Sequence, residues 1–275
     1  MKIACLSGKG GAGKTFIAVN LAAVAPRATY IDCDVEEPNG RLFLKPENEP
    51  SAQPVSTLLP VFDEARCDGC KTCVRFCRFH ALVYISGKPL VFPEICHSCG
   101  GCKMVCPNNA VSEEPKPIGE VELSRCGSVS VATGVLNAGE ATGIPVIRAA
   151  LDHAEGLTVI DCPPGSACSV MESVGDADYC ILVAEPTAFG FHNFKMVHEL
   201  VTLLGKSCSV VVNKQEAPYE PLEDYCAEHD VKILARIPYD THVASLVADG
   251  LIAGRHDEEI RKLFADLLAE IEDAS

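Results

Sequence analysis

The feature that most constrains the fold is a glycine-rich loop near the N-terminus, GKGGAGKT, at residues 8–15. It follows a short apolar run, KIACLS, and precedes a helical pattern, KTFIAVNLAAVA. A glycine loop between a buried strand and a helix presents backbone N–H groups and the positive end of the helix dipole to an anion. Its spacing, G-x-x-x-x-G-K-[ST], is typical of loops that bind nucleotide phosphates. This stretch therefore predicts an α/β fold with a phosphate site.

The residue types in the loop indicate ATP with Mg²⁺. Lys14 would reach the β- and γ-phosphates, and the Thr15 hydroxyl would hold Mg²⁺. The residues predicted to bind the nucleotide here are Gly8, Gly10, Gly11, Ala12, Gly13, Lys14, Thr15 and Phe16. The same glycines also satisfy G-x-G-x-x-G, and Asp32 follows at the distance of a ribose-binding carboxylate. A dinucleotide site is the alternative, although it has no use for the Lys-Thr pair.

Apolar runs recur along the rest of the chain. They are ATYIDCD, LTVIDC, DYCILVAE, SCSVVVNK and VKILARIP, with helical patterns between them. Strands that alternate with helices predict βαβ units and a mostly parallel sheet flanked by helices. The runs are continuous rather than alternating, which indicates strands covered on both faces. An amphipathic stripe over residues 257–274 predicts a final helix packed on the domain.

Residues 60–116 interrupt this order with a repeated cysteine pattern. Each half reads Cys-x2-Cys-x2-Cys-x3-Cys, and the second lies 29 positions after the first. Three thiolates so close together can bind one face of a four-iron cluster. Structural zinc usually takes two cysteine pairs separated by a longer loop. Two [4Fe–4S] clusters are therefore predicted, with zinc or a single cluster as alternatives.

The repeat resembles a bacterial two-cluster ferredoxin domain, in which each half supplies the fourth ligand of the other cluster. The resemblance implies one cluster on Cys67, Cys70, Cys73 and Cys106, and a second on Cys96, Cys99, Cys102 and Cys77. One departure is Arg78, which stands where the motif usually has proline. The resemblance implies a small inserted α+β domain over residues 60–116. Prolines on both sides, including Pro54, Pro60, Pro115 and Pro117, predict linkers.

Lys9 adds a further lysine to the phosphate loop. The pattern K-G-G-x-G-K-[ST] resembles the deviant Walker A loop of the MinD/ParA family of ATPases. The resemblance implies a P-loop ATPase domain formed by residues 1–59 and 117–275. In that family the extra lysine contacts the nucleotide of a partner chain. It therefore implies that Lys9 acts in trans, in a homodimer formed on ATP binding.

Other segments resemble the same family in the same order. YIDCDVEEPN resembles the first switch, in which Asp34 would position the attacking water or Mg²⁺. VIDCPPG resembles the second switch, with Asp161 as the Walker B carboxylate. VVNK and RIPYD resemble the adenine site, to which Asn213 and Pro238 would contribute. The residues implied in catalysis are Lys9, Lys14, Asp34 and Asp161.

Composition limits the partners. The formal net charge of −15 disfavours nucleic acid, whose phosphates require clustered basic residues. Sixteen cysteines without an export signal predict a reducing cytoplasm. No run of 18 apolar residues occurs, so we expect no membrane span. The acidic polar face of the final helix also disfavours stable binding to anionic lipid.

The combined motifs predict a slow or partner-stimulated ATPase. In the first hypothesis, nucleotide-dependent changes of the switches and the dimer gate electron transfer through two [4Fe–4S] clusters, between a redox donor and acceptor. The alternatives are an ATPase that delivers metal or clusters to an apo-metalloenzyme, and a positioning switch like MinD.

Overall fold

The computed structural model describes residues 1–274. The strands are β1 (Lys2–Leu6), β2 (Ala28–Asp32), β3 (Ser51–Phe62), β4 (Leu82–Ile85), β5 (Lys88–Val91), β6 (Val111–Cys126), β7 (Val129–Leu136), β8 (Thr158–Asp161), β9 (Tyr179–Ala184), β10 (Ser207–Gln215) and β11 (Ile233–Pro238). The helices are α1 (Lys14–Val24), α2 (Thr72–Phe76), α3 (Gly101–Met104), α4 (Ile144–Leu151), α5 (Cys168–Val174), α6 (Ala188–Leu203), α7 (Glu220–Glu228), α8 (Thr241–Ala248), α9 (Ala253–His256) and α10 (Glu258–Ala274).

One large sheet organises the molecule. Within residues 1–274 it has nine strands in the order β11-β10-β9-β1-β8-β2-β7-β6-β3. The strands from β11 to β7 pair in parallel, and β6 and β3 add antiparallel pairs. The prediction of a mostly parallel sheet is confirmed. The ends of β1, β2 and β8 meet at one edge, which brings together the phosphate loop and the two segments that resemble switches.

Helices cover both faces of the sheet, as the continuous apolar runs indicated. Strands β8 and β9 are buried along their full length. On one face α1, α9 and α10 pack around Phe16, Phe264 and Leu267. On the other face α4 to α7 pack around Ile147, Phe194 and similar side chains. No helix among the described residues is long and apolar enough to cross a bilayer.

The proline-rich flanks of the cysteine repeat form strands, so the prediction of linkers was wrong. Residues 51–62 pair with residues 111–123 as an antiparallel ribbon that continues the main sheet. Proline lacks an N–H donor and is tolerated where one side of a strand is unpaired. β3 is the edge strand of the sheet, and β6 pairs with β7 only from Gly119 onward. Pro54 and Pro115 therefore lie in stretches where one side of the strand has no neighbouring strand, so a missing N–H donor is tolerated there.

Between the two strands of this ribbon, residues 63–110 carry the cysteines. They form two short helices, α2 and α3, and the β4–β5 hairpin. Each helix begins just after the second cysteine of its half, following a residue with positive φ, Lys71 or Gly100. The two halves therefore share a local course as well as a cysteine spacing.

Candidate functional site

The phosphate loop runs from β1 into α1, and an asparagine side chain holds it through a hydrogen bond to its backbone. Asn213 Nδ2 donates a hydrogen bond to Ala12 O at 2.9 Å. Gly13 has φ 98°, and a Cβ there would lie 2.1 Å from Asn213 Nδ2. A side chain at this position would therefore strain the backbone and displace the asparagine. The sequence motif predicts that Asn213 binds the adenine base. In the structure Asn213 supports the phosphate loop.

Lys14 is buried beneath the loop against a carboxylate from β8. Its Nζ donates to Asp161 Oδ1 at 2.5 Å, and the Tyr30 hydroxyl donates to Asp161 Oδ2 at 2.8 Å. Burial alone lowers the pKa of Lys14, but the charge of Asp161 outweighs it, so this pKa is raised. The lysine therefore stays protonated, and its positive charge lies beneath the loop.

Asp32 and Asp34 differ in what they contact. Asp32 is buried and accepts hydrogen bonds from Gly40 N at 2.9 Å and Asp34 N at 3.1 Å. Burial first, and then repulsion from Asp161, raise the pKa of Asp32 to about 7. Burial likewise raises the pKa of Asp34 to about 6. Asp32 thus anchors the segment that carries Asp34, and its two oxygens are used by the backbone rather than presented to a ribose.

Lys9 Nζ donates a side-chain hydrogen bond to Glu185, which directly follows β9. Glu185 also accepts from Lys214 Nζ at 2.7 Å, and Lys214 Nζ donates to Gly11 O at 2.6 Å. Burial raises the pKa of Glu185, but hydrogen bonds from Lys214 and Lys9 outweigh it, so the pKa is lowered. Lys9 Nζ also lies 5.6 Å from the centroid of the Phe189 ring. No motif indicated Glu185, and Lys214 belongs to the VVNK segment without having been assigned a role there.

A cavity of about 470 Å³ opens above these residues. Its polar part is formed by the loop, Lys9, Lys14 and Asp34, and its apolar part by α8 and nearby side chains. Of the residues predicted from the sequence, its lining includes Lys9, Gly10, Gly11, Gly13, Lys14, Thr15, Phe16, Asp34, Asn213 and Pro238. Gly8, Ala12 and Asp161 are not part of this lining. Phe43 and Val243 line it too, although no motif indicated them, and so does Tyr239, which follows Pro238 in the RIPYD segment.

The repeated cysteines surround two further cavities. The lining of the first includes Cys67, Cys70, Cys73 and Cys106. The lining of the second includes Cys77, Cys96, Cys99 and Cys102. Each cavity therefore takes three cysteines from one half of the repeat and one from the other.

The cysteines of each cavity surround a space and do not converge on a point. Throughout residues 1–274, no group of three or more His, Cys, Asp or Glu side chains is placed to hold a metal ion. Burial first, and repulsion from Cys96 and Cys99, raise the pKa of the Cys102 thiol to about 11. The thiols of one set are therefore close enough to influence one another. Binding of iron at either cavity stays a prediction.

Comparisons with known proteins agree with this geometry. Residues 3–253 match the family described as the CobQ/CobB/MinD/ParA nucleotide binding domain. The uncharacterized protein MJ0579 of Methanocaldococcus jannaschii is 25% identical over 259 residues, covering 91% of this chain and 90% of that protein.

Two solved structures share the fold. The cell division ATPase MinD of Pyrococcus furiosus matches with a TM-score of 0.59 and 20% sequence identity. The match covers 100% of this chain and 99% of the MinD chain. MinD of Pyrococcus horikoshii in complex with Mg-ADP has a TM-score of 0.58 and 18% identity, with coverage of 98% and 95%. The loop, the switch segments and a match over most of the chain lead to one conclusion: the protein belongs to the CobQ/CobB/MinD/ParA family of nucleotide-binding domains.

Proposed function

We propose that the protein is a nucleotide-dependent switch ATPase of the MinD/ParA type, which binds Mg-ATP in the 470 Å³ cavity. The observation that carries the proposal is the buried pair of Lys14 and Asp161 directly beneath a glycine loop. A buried lysine below backbone N–H groups matches the charge of a triphosphate. Membership of the family, and the Mg-ADP bound to MinD of Pyrococcus horikoshii, support the same ligand.

Binding requires an exchange of partners. Lys14 would leave Asp161 for the β- and γ-phosphates, and Asp161 and the Thr15 hydroxyl would then hold Mg²⁺. Tyr239 and Val243, which line the apolar part of the cavity, would contact the adenine. Because Asn213 uses Nδ2 to hold the loop, we expect its Oδ1 to accept from the adenine amino group.

Hydrolysis depends on two further side chains. Asp34 lies in the polar part of the cavity, where its carboxylate can orient the attacking water. Lys9 leaves Glu185 and contacts the nucleotide of a second chain, so that the active species is a homodimer. Asp32 restrains the first switch and keeps Asp34 at the cavity, since it ties that segment to the sheet through two backbone hydrogen bonds.

Of the functions considered from the sequence, the comparisons favour the MinD-like switch over electron transfer. The family and the solved structures are those of nucleotide-binding proteins, and they carry no information about redox partners. We therefore place nucleotide switching first and treat electron transfer as a second function of the cysteine unit. Delivery of metal to a target enzyme has no comparable support.

Binding, hydrolysis and association of purified protein test the switch. We expect Mg-ATP to bind, to be hydrolysed and to convert monomers to dimers in light scattering. Lys14→Ala should lose binding, and Thr15→Ala should retain ATP binding but lose its Mg²⁺ dependence. Lys262→Ala, in an exposed part of α10 outside the cavity, is the matched control. Equal ATP affinity in wild type and a folded Lys14→Ala protein would contradict the proposal.

We also propose that the two cysteine cavities hold [4Fe–4S] clusters, one on each set of four cysteines. The support is the motif together with the lining of each cavity by the corresponding set. A four-iron cluster is wider than one ion, so its ligands surround a space as these do. Such clusters supply one-electron transfer.

Iron and sulfide content measured after anaerobic purification tests this second proposal. We expect about eight irons per chain, from two four-iron clusters. Electron paramagnetic resonance of reduced protein, recorded with and without Mg-ATP, then tests coupling to the nucleotide. Spectra and rates of partner reduction that are identical with and without Mg-ATP would leave the clusters without a role in switching.

A further inference from the structure

The two cysteine cavities differ in one buried hydroxyl. Ser98 lies between Cys96 and Cys99 and lines the second cavity. Its Oγ is buried and has no hydrogen-bond partner within residues 1–274. An unpartnered buried hydroxyl costs about 1–3 kcal/mol, so a ligand in the cavity is the partner to expect. The equivalent residue of the first half, 29 positions earlier, is Gly69, which has no side chain to donate.

The cavities also differ in one positive charge. Arg78 follows Cys77 and lines the second cavity, while Pro107 follows Cys106 and lines the first. The Arg78 side chain is exposed and forms no ion pair within the described part of the chain. Its charge is therefore not neutralised by a neighbouring carboxylate.

The other charged groups at the two cavities largely cancel. At the first cavity the lining contains one acidic and one basic side chain, Asp68 and Lys71. At the second cavity Glu113 lines the space and accepts from Lys103 Nζ, which lies outside the lining, at 2.7 Å. Because Glu113 is paired with Lys103, it does not neutralise Arg78.

We propose that Ser98 and Arg78 make the second cysteine site the more easily reduced of the two. This inference rests on the proposed binding of two clusters. Reduction adds one electron and one negative charge to a site and breaks no bond. A hydroxyl that donates to sulfur and a guanidinium nearby both favour the more negative state. The first site has a glycine and a proline at the two corresponding positions and lacks both effects.

Redox titration of the full chain tests the inference, with dithionite as the electron donor and paramagnetic resonance as the readout. We expect wild type to show two midpoints. Ser98→Ala and Arg78→Gln should each weaken reduction at the higher midpoint about tenfold, which is about 59 mV for a one-electron couple. Neither should move the lower midpoint. Arg78→Lys keeps the charge and should shift the midpoint less than Arg78→Gln.

The chain offers matched controls. Ser86 has φ 52°, close to the 51° of Ser98, but it lies in the exposed β4–β5 turn. Arg75 lies three positions before Arg78 in the sequence and outside the lining of both cavities. Ser86→Ala and Arg75→Gln should leave both midpoints in place.

The outcomes separate the inference from the function on which it rests. If the iron content is complete but the titration shows a single midpoint, the inference alone is overturned. The same holds if the substitutions shift only the lower midpoint or shift neither. A wild-type chain that binds no iron overturns both.

Discussion

Lys14 Nζ lies 2.5 Å from Asp161 Oδ1, and the exposed fractions of the two side chains are only 7% and 1%. A charge pair this deeply buried is costly to break from one side, because the remaining charge stays in a medium of low polarity. The same closeness means that any anion arriving at the loop competes with Asp161 for Lys14. Stability and nucleotide binding are therefore linked at this pair.

Removing Lys14 should destabilise the fold as well as abolish binding. Lys14→Ala leaves Asp161 buried without its cation, and we expect a loss of about 3 kcal/mol in the free energy of unfolding. The double variant Lys14→Ala/Asp161→Asn should recover much of this loss, since no unpaired charge remains. Urea unfolding of the two variants measures the difference. Equal stability of single variant and wild type would show that Asp161 is neutral or solvated in the folded protein.

Glu185 should restrain the dimer. Its carboxylate binds Lys9 within one chain, so Lys9 must leave it to reach a second chain. Glu185→Gln weakens that contact, and we expect dimerisation in Mg-ATP to tighten about two- to fivefold, as suits a partly exposed ion pair. Sedimentation velocity at several protein concentrations measures it. Glu199→Gln, on the exposed side of α6, is the control, and weaker association of Glu185→Gln would contradict the restraint.

Asp32 should make stability fall as pH rises. Its pKa in the folded protein is about 7, above the ordinary aspartate pKa of 3.8, so the folded state binds the proton more tightly. The Asp32 contribution is therefore complete below about pH 4 and is lost as pH rises toward 7. Urea unfolding between pH 4 and 8 should show this decline in wild type. In Asp32→Asn the slope should be smaller by up to about 1.4 kcal/mol per pH unit. An unchanged slope would mean that Asp32 is ionised throughout.

Single cysteine substitutions should separate the two cavities. Cys102→Ala removes one thiol of the second cavity only, and we expect the iron content to fall from about eight to about four per chain. Cys168→Ala removes an exposed thiol at the start of α5 and should leave the iron content unchanged. Loss of all iron in Cys102→Ala, with the fold retained, would show that the two sites assemble together.

Local patterns were sufficient for much of the fold. The apolar runs from KIACLS to VKILARIP became β1, β2 and β8 to β11, because strands covered on both faces need uninterrupted apolar residues. The ribbon of β3 and β6 was missed because its prolines suggest linkers. Only the pairing of distant segments shows that the outer sides of these strands need no donor.

Some residues of the candidate site could likewise be predicted from local sequence patterns, and others could not. Lys14 and Thr15 could be read from the loop, since their spacing is fixed by the chain itself. Glu185 could not, because it lies 176 positions from Lys9 and meets it only through the order of β9 and β1. Ser98 carried no signal either, because a serine between two cysteines is ordinary until its hydroxyl is found buried without a partner.

The length of the paired strands β3 and β6 sets the distance between the cysteines and the rest of the sheet. The residues of β3 face partners on β6, with one register shift that leaves Ile118 unpaired, so the length of the ribbon fixes how far the cysteines lie from the sheet. Removing two facing pairs would bring them about 7 Å closer without turning them, as each residue adds about 3.4 Å. Removing a single residue from one strand would instead send its later side chains to the opposite face. A change in this separation that keeps the side chains on their present faces therefore removes or adds facing pairs two at a time.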